Sequence, residues 1–385
     1  MVGNAERELR DNHILQRVSL HVDPLPEAVG PEQHAARVVA KPFEQERAGH
    51  PFRLAVERVA VLREPRREPL RALDEAPGLA WEWLPTGIRE IAAGHAAAFD
   101  AIYINSPRVT AAAVAGPDLR LKIISRHGVG YDSVDVAAMS AAGVLVCNTP
   151  AAVPRPVATI ALTFVLALAH RLLAKDRLTR EGRWHERTGH MGIGLTGRTL
   201  GVVGAGGIGK ELLRMARVFD LKLLAADPYV DELELADLGA RKAPLEVVMA
   251  QSDFVVVACL LNDETRHLID ASALARMKPE AYLINVARGP VVDEAALYEV
   301  LKARRIAGAA LDVFEEEPTP ATNPILALEH VIVTPHSLAW TDELFRNIAG
   351  TAIGAILSVQ RGERPRFVVN PDVLSHPRVQ RWLKR

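Results

Sequence analysis

The chain has 385 residues, of which 49% are hydrophobic but only 5% aromatic, and its formal net charge at pH 7 is −1. This length predicts about two domains, and an aliphatic core is typical of parallel sheets covered by helices. The near-neutral charge offers no electrostatic basis for binding nucleic acid or an anionic membrane surface. The two cysteines, Cys147 and Cys259, lie in apolar strand-like runs. We therefore expect buried thiols in a reducing compartment rather than a disulfide.

The first part of the chain differs in character from the rest. Residues 1–50 are charged, contain proline and show no clear periodicity, which predicts a poorly ordered or loosely attached extension. They carry no pattern of a secretory signal. The longest apolar helix-like run, residues 157–169, is shorter than the roughly 20 residues that a membrane helix needs. We expect a soluble, cytoplasmic protein.

Beyond residue 50, strand-like runs alternate with helix-like segments, which predicts doubly wound α/β architecture. We predict early strands at residues 58–62, 100–104, 121–125 and 144–147. The prolines at 150, 154 and 156 are typical of a hinge, and a long helix should run from 157 to about 180. Five later strands are predicted at 221–226, 254–259, 281–286, 306–312 and 331–334, and a last helix at 342–360.

Between the two series lies a glycine motif, Gly204-x-Gly206-x-x-Gly209, which directly follows an apolar run and opens a helix-like segment. The first glycine permits a tight turn, the second lets backbone amides approach a pyrophosphate, and the third lets helix and strand pack closely. Asp227 ends the next apolar run, 18 positions beyond Gly209, where its carboxylate can accept hydrogen bonds from an adenosine ribose. The stretch therefore predicts a dinucleotide site.

The motif lies in the middle of the chain, with α/β sequence on both sides. This placement predicts two Rossmann-like domains, the nucleotide-binding one inserted into a discontinuous, flavodoxin-like substrate domain. We place the nucleotide-binding domain at residues 153–335 and the substrate domain at 51–152 and 336–385. A substrate would then lie in the cleft between them, at the carboxyl ends of the strands.

Chemically useful side chains follow three successive predicted strands. Arg288 follows the strand at 281–286, acids including Asp312 and Glu317 follow the next, and His336 follows the last. A histidine can move the hydroxyl proton of a 2-hydroxy acid, and a carboxylate beside it stabilises the imidazolium. A guanidinium can bind a substrate carboxylate with two hydrogen bonds. Each residue alone would be an ordinary surface group, but their joint position downstream of a dinucleotide motif favours catalysis.

With residues 125–132 (SRHGVGYD), these motifs resemble the D-isomer-specific 2-hydroxyacid dehydrogenase family, over about residues 95–370. The family includes D-3-phosphoglycerate, glyoxylate and formate dehydrogenases. The resemblance implies an NAD-dependent oxidoreductase in which His336 is the general acid/base, Glu317 pairs with it, and Arg288 binds the substrate carboxylate and carbonyl oxygen. Amides near Val129 and Gly130 would hold the substrate carboxylate.

The resemblance also implies the wider set of contacts. Asp312 would meet the nicotinamide carboxamide. The expected cofactor-binding residues are Gly204, Gly206, Gly207, Ile208, Gly209, Asp227, Pro228, Cys259, Thr265, Ala287, Asp312 and His336. The expected substrate-binding residues are Asn105, Ser106, His127, Gly128, Val129, Gly130, Arg288 and Trp340. No metal ligand is expected. A homodimer through the nucleotide-binding domain is implied, with the predicted helix from 157 to 180 in the interface.

Several positions depart from the family pattern. The catalytic histidine is followed by Ser337-Leu338-Ala339-Trp340 instead of glycines, and the strand before Leu260 lacks the usual histidine and proline. Trp340 would either wall the substrate pocket or pack under the last helix. Asn105-Ser106 replaces the arginine-serine found in many family members. These differences leave the substrate open.

Cofactor choice can be argued locally. Asp227 would repel a 2′-phosphate, and Pro228 and Tyr229 follow it with no arginine nearby, which favours NAD over NADP. Two alternatives to a 2-hydroxy acid enzyme stay open. The same side chains could act on a small anion such as formate or phosphite, or the chain could be a non-catalytic NAD(H)-sensing protein like the family's corepressors.

Overall fold

The computed structural model describes residues 70–85 and 87–383, together with the backbone of residues 52–57. Its first sheet has five strands: β1 (Phe52–Glu57), β2 (Leu79–Leu84), β3 (Ala101–Ile104), β4 (Ile123–Arg126) and β5 (Leu145–Cys147). They pair in parallel in the order β2-β1-β3-β4-β5. We call this part the five-stranded lobe.

The second sheet has seven strands: β6 (Thr199–Val203), β7 (Lys222–Ala226), β8 (Ala240–Lys242), β9 (Phe254–Val257), β10 (Tyr282–Asn285), β11 (Gly308–Leu311) and β12 (Val331–Val333). Their order is β12-β11-β10-β9-β6-β7-β8, and all pairs are parallel. The order reverses between β6 and β9. In an open α/β sheet such a reversal marks the crevice where ligands bind. We call this part the seven-stranded lobe.

Helices cover both sheets and connect the strands. The α-helices are α1 (Arg71–Asp74), α2 (Ala93–Ala98), α3 (Val136–Ala141), α4 (Pro154–Ala169), α5 (Leu172–Arg180), α6 (Gly207–Ala216), α7 (Glu232–Asp237), α8 (Leu245–Gln251), α9 (Ala271–Leu274), α10 (Glu294–Lys302), α11 (Asp342–Gln360) and α12 (Pro377–Gln380). Short 3₁₀ helices lie at Ala111–Val114, Trp184–His190, Arg217–Phe219, Gly289–Val291, Pro324–Ala327 and Pro371–Ser375.

The central strands of the seven-stranded sheet are buried on both faces. Successive side chains of a strand point to opposite sides, and each side meets its own core. In β9, Phe254 and Val256 join the core that contains α4 and α6. Val255 and Val257 join the opposite core, formed with α8, α9 and α10. Central strands such as β9 therefore read as continuous apolar runs rather than alternating ones.

Helix α11 links the cores of the two lobes. Leu344 and Ile348, near its start, pack in the core of the seven-stranded lobe. Ile353 and Ile356, further along, pack against β3, β4 and β5 in the five-stranded lobe. One long helix thus carries the chain back from the second sheet to the first.

The predicted fold class, α/β with two parallel sheets and the nucleotide-binding part inserted, is confirmed. The later predicted strands all match observed ones to within two residues at each end. The predicted strand at 58–62 and the extension at 1–50 lie outside the described residues. Strands β1, β2 and β8 were not predicted. The domain boundaries at 51–152, 153–335 and 336–385 stay a prediction.

The single helix predicted from 157 to about 180 is wrong. Its first part begins earlier, at Pro154, and ends at Ala169. Arg171 then adopts a left-handed conformation, with φ of 51°, and the chain continues as α5 at an angle of 59°. Nine residues of α4 are buried, whereas Leu178 is the buried one in α5, so the two segments pack differently.

No single helix in the described parts of the chain has the length and apolar character needed to cross a membrane. The bent pair α4 and α5 passes that test together, by length and composition alone.

Candidate active site

The glycine motif forms the turn from β6 into α6. Gly204 has a φ of 91°, and a side-chain Cβ there would come within 2.5 Å of the Cα of Cys259. A Cβ on Gly209 would overlap the carbonyl oxygen of Gly204. At Gly206, by contrast, the space that a Cβ would fill is open. The motif therefore packs tightly against the sheet while leaving one face of the turn accessible to a pyrophosphate at the start of α6.

Asp227 ties the next strand end to this turn. Its Oδ2 accepts a hydrogen bond from the Ala205 amide at 2.8 Å. Its Oδ1 accepts from the amides of Tyr229 at 2.9 Å and Val230 at 3.2 Å. The carboxylate is thus held in place beside the glycine turn, in the position where a ribose hydroxyl would meet it. These features fit a bound dinucleotide.

Other predicted cofactor residues lie around the same turn. Gly207 begins α6, Ile208 packs against the core, and Pro228 is exposed beside Asp227. The Thr265 hydroxyl donates to the Leu260 carbonyl at 2.6 Å, which folds the loop after β9 back on itself. Burial raises the pKa of the Cys259 thiol to about 11, so it is protonated and unreactive near neutral pH.

Arg288 follows β10 and reaches across to the five-stranded lobe. Its guanidinium lies over Gly130, where a Cβ would overlap Nη2. Its Nε lies 3.7 Å from Oδ1 of Asp132, and Nη1 donates to the Ala287 carbonyl at 2.8 Å. The Asn285 side chain donates to the Arg288 carbonyl at 3.0 Å. The arginine is therefore positioned by its own strand end and faces the glycine loop of the other lobe.

Gly289 allows the loops after β10 and β11 to approach each other. A Cβ at this position would overlap the backbone of Phe314 and Glu315. Only a glycine fits such a contact. It brings Arg288 close to the acidic segment that carries Glu317.

Asp312, at the end of β11, anchors the segment that carries His336. Its Oδ1 accepts hydrogen bonds from the Thr334 hydroxyl at 2.6 Å and from the amides of Ser337 and Leu338, both at 3.2 Å. Burial raises the pKa of Asp312, although these donors and the nearby His336 oppose the shift. A role in placing His336 is visible here, beside the nicotinamide contact that the resemblance implies.

His336 and Glu317 form a direct pair. Nδ1 of His336 lies 2.7 Å from Oε2 of Glu317, and Oε1 of Glu317 accepts from the Phe314 amide at 3.0 Å. Burial would raise the pKa of Glu317, but the hydrogen bond and charge of His336, the Phe314 amide and the charge of Arg288 outweigh it. The pKa of Glu317 is therefore lowered, and the carboxylate is ionised in the neutral range.

The loop after β4 contacts the Arg288 guanidinium at Gly130. Gly128 has a φ of 95°, its amide donates to the Thr149 hydroxyl at 3.0 Å, and Asn148 donates to the Val129 carbonyl at 2.8 Å. The amides of Val129 and Gly130 donate to no residue within the described ranges. They are available to a substrate carboxylate.

His127 begins this loop in a half-buried position. Burial, with the charge of Arg126, lowers the pKa of His127 to about 4, so its ring is neutral. Burial also raises the pKa of Tyr103, whose hydroxyl lies 2.5 Å from Nδ1 of His127. The protonated phenol can therefore donate to the neutral ring.

The remaining predicted substrate residues lie at the border of the site. Asn105 and Ser106 directly follow β3. The last residue of β3, Ile104, accepts a 2.7 Å hydrogen bond from the His127 amide, so these two residues lie next to the glycine loop. The Trp340 ring contacts Phe345 edge-on at 5.5 Å, and Phe345 lies 5.4 Å from the ring of His127. Trp340 thus packs on α11 and still exposes 43% of its surface. Both interpretations of this residue stay open.

The structure adds residues that the sequence did not indicate as site residues. Asp132, Thr149 and Thr334 contact Arg288, Gly128 and Asp312 respectively. Asp132 is the last residue of the motif at 125–132, and Thr334 lies two residues before His336. A search for polar neighbours within each motif would therefore have found both. Thr149 is distant in sequence and carried no such signal. In the parts of the chain that the structure describes, no group of three or more metal-ligating side chains occurs.

Comparisons with known proteins agree with this geometry. The family model described as "D-isomer specific 2-hydroxyacid dehydrogenase, NAD binding domain" matches residues 162–337. A glyoxylate reductase of Korarchaeum cryptofilum is 39% identical over 258 residues, which are 66% of this chain and 78% of that protein. The chain belongs to the D-isomer specific 2-hydroxyacid dehydrogenase family. It is therefore an NAD-dependent oxidoreductase, as the sequence predicted.

Further relatives in this dehydrogenase family differ in length and in name. A D-3-phosphoglycerate dehydrogenase of Archaeoglobus fulgidus is 37% identical over 272 residues, 71% of this chain, but the chain spans only 51% of that protein. A crystal structure of a glyoxylate reductase from Paecilomyes thermophila superposes with a TM-score of 0.73 at 28% identity, covering 83% of this chain and 99% of that one.

Proposed function

We propose that this dehydrogenase interconverts a D-2-hydroxy acid and the corresponding 2-oxo acid. The observation that carries the proposal is the meeting of the Glu317–His336 pair with Arg288 beside the glycine loop of the other lobe. Bound NADH would supply the hydride that reduces C2 of the oxo acid. The names of the relatives, glyoxylate reductase and D-3-phosphoglycerate dehydrogenase, support a small 2-oxo acid as substrate.

The roles of the side chains follow from their chemistry. Arg288 binds the substrate carboxylate and polarises the carbonyl oxygen, since its charge and fork of donors match both groups. The amides of Val129 and Gly130 hold the other carboxylate oxygen. His336 gives a proton from Nε2 to the carbonyl oxygen during reduction and removes it during oxidation. Glu317 stabilises the protonated imidazole and fixes its orientation through Nδ1.

The assembly and location belong to the same proposal. Leu172, Leu173, Trp184 and Met191, around α5, are large exposed apolar side chains, which supports a homodimer through the seven-stranded lobe. Two free cysteines fit the reducing cytoplasm. A net charge of −1 fits a protein without nucleic-acid or membrane partners.

The test is a screen of NADH consumption with 2-oxo acids of graded size and charge, including glyoxylate, hydroxypyruvate, pyruvate and sugar acids. We expect turnover with at least one of them, and reverse oxidation of the D but not the L enantiomer of the product. NAD reduction by formate or phosphite, with no 2-oxo acid consumed, would contradict the proposal in favour of the small-anion alternative. NADH binding without any turnover would favour the sensing alternative.

A further inference from the structure

Two loops flank the glycine turn at the carboxyl edge of the seven-stranded sheet. Strand β6, which leads into the glycine turn, lies between β7 and β9. The loop at 227–230 follows β7, and the loop at 260–265 follows β9. The adenosine half of a dinucleotide lies over this edge, with its ribose at the acid that ends the second strand. Here that acid is Asp227.

Among the described residues, one side-chain hydrogen bond joins the two loops. The Tyr229 amide donates to Asp227, and its ring extends outward, 80% exposed. The Tyr229 hydroxyl donates to Oε2 of Glu264 at 2.7 Å. The Glu264 amide donates in turn to the Asn262 side chain at 3.1 Å, within the loop that Thr265 closes. Tyr229 therefore connects the ribose-binding acid on one side to a second carboxylate on the other.

The hydrogen bond and charge of Glu264, with smaller contributions from burial and Asp227, raise the pKa of Tyr229. The phenol is therefore protonated and acts as the donor in this contact. Both carboxylates lie close enough to the ring to act on it.

Two lysines beside this edge have partners within the protein. Lys210 on α6 lies 2.5 Å from a carboxylate oxygen of Glu234, and Lys242 on β8 donates to the Val230 carbonyl at 2.6 Å. The segment from 227 to 237 contains five acids and no lysine or arginine. The facing loop adds Asp263 and Glu264 against one cation, the exposed Arg266, so acids outnumber cations along this edge.

We propose that Glu264, held by Tyr229, is a second determinant of NAD selectivity beside Asp227. The Tyr229–Glu264 contact joins the two loops at the adenosine end of this sheet edge and fixes a second carboxylate across from the loop of Asp227. A 2′-phosphate entering this site meets two carboxylates instead of one. The inference rests on the binding of NAD and on no part of the proposed substrate.

Two substitutions separate the charge of Glu264 from its attachment. Glu264→Gln keeps an acceptor for the Tyr229 hydroxyl and removes the charge. Tyr229→Phe keeps the charge and removes the hydrogen bond that places it. Asp263→Asn removes a charge from the adjacent exposed residue and is the matched control. The dissociation constants of NADH and NADPH are measured for each protein by fluorescence of the bound nicotinamide, without substrate.

For Glu264→Gln we expect NADPH to bind roughly fivefold more tightly, the effect of removing one surface carboxylate from beside a phosphate dianion. NADH should change less than about twofold, because its ribose carries no phosphate charge. Tyr229→Phe should give a smaller gain for NADPH, since the freed carboxylate stays on the same loop. Asp263→Asn should leave both constants near those of the parent protein.

An unchanged NADPH constant in Glu264→Gln would overturn the inference. An equal gain in Asp263→Asn would do the same, because it would show a general field effect rather than a placed carboxylate. No effect of Tyr229→Phe would contradict the part played by the tyrosine. All three measurements need only cofactor binding, so an enzyme that binds NADH but reduces no 2-oxo acid would contradict the proposed function and leave this inference testable.

Discussion

The loop after β11 carries the glutamates of two histidine–glutamate pairs that have the same distance and exposure. His336 lies 2.7 Å from Glu317, and His267 lies 2.7 Å from Glu315. Both histidines have left-handed backbones, with φ of 51° and 52°. Their side chains are 44% and 45% exposed, and both glutamates are 36% exposed. Residue type, distance and exposure therefore do not distinguish the pair to which we assign proton transfer from the other pair.

The ring nitrogen that meets the carboxylate does distinguish them. His336 uses Nδ1, so Nε2, at the far end of the ring, makes no hydrogen bond to the residues the structure describes. His267 uses Nε2 itself, which leaves only Nδ1, next to its own backbone. A general acid needs an accessible nitrogen within reach of the substrate oxygen. Only His336 offers one with its carboxylate partner already in place.

The neighbours of the two glutamates differ as well. The charge of Arg288 acts on Glu317, together with the Phe314 amide. Glu315 instead exchanges contacts with Glu294 at the start of α10, accepting from its amide at 3.3 Å and donating its own amide to Oε2 at 2.9 Å. The His336–Glu317 pair thus lies within the electrostatic influence of Arg288, whereas Glu315 of the other pair attaches its loop to the start of α10.

The largest expected effect comes from removing the His336 imidazole, whose Nε2 we propose as the proton donor. His336→Ala should lower kcat by roughly 10²–10⁴-fold, the usual contribution of a positioned acid/base. NADH affinity should change little, because the glycine turn and Asp227 are untouched. Steady-state turnover with the best 2-oxo acid and NADH titration provide the two readouts. A variant with nearly normal turnover would remove the distinction between the two pairs.

Glu317→Gln should have the next largest effect. The variant loses a charge-assisted hydrogen bond, worth roughly 1.5–3 kcal/mol, and kcat for reduction should fall about 10- to 100-fold. Glu317 supports His336 only while its carboxylate is ionised, so reduction by the parent enzyme should decline at low pH, and the neutral glutamine should remove that decline. In the parent enzyme the lowered pKa of Glu317 keeps this support in place until the pH falls below its ordinary value of about 4.3.

The pH–rate profiles for reduction by the parent enzyme and by Glu317→Gln are compared to test this pH dependence. An unchanged profile with lower kcat would indicate that Glu317 only orients the ring. Glu315→Gln is the matched control, since it makes the same change in the other pair on the same loop.

The sequence predicted the strand ends of this site better than its contacts. Apolar runs are local signals, so β10, β11 and β12 and the residues after them could be located, and the side chains of Arg288 and His336 with them. The His267–Glu315 pair joins residues 48 positions apart, and the Tyr229–Glu264 contact joins residues 35 apart. Neither position carries a local pattern that links it to its partner. Such pairs depend on strand order, which periodicity does not report.

The errors in secondary structure have similar causes. Strand β2 (LAWEWL) is largely half-buried and mixes tryptophan with glutamate, so it lacks an uninterrupted apolar run. Helix α4 ends because Arg171 takes a left-handed conformation, which a non-glycine residue adopts only when its surroundings favour it. No residue in the predicted helix from 157 to 180 is a glycine or proline that would have indicated the break.

The smallest expected effect sharpens the comparison most. His267→Ala removes the imidazole and its contact to Glu315. Alanine has a Cβ, so it meets the same steric restriction as histidine at this left-handed position. A half-exposed ion pair contributes about 0–1 kcal/mol, and the amide contacts between Glu315 and Glu294 still hold the loop. Turnover should therefore stay within about twofold of the parent, with a small decrease in the free energy of unfolding. Thermal unfolding and kcat are measured on the same preparation. A tenfold loss of kcat at unchanged stability would mean that His267 places the loop of Glu317, and that the two pairs act as one unit.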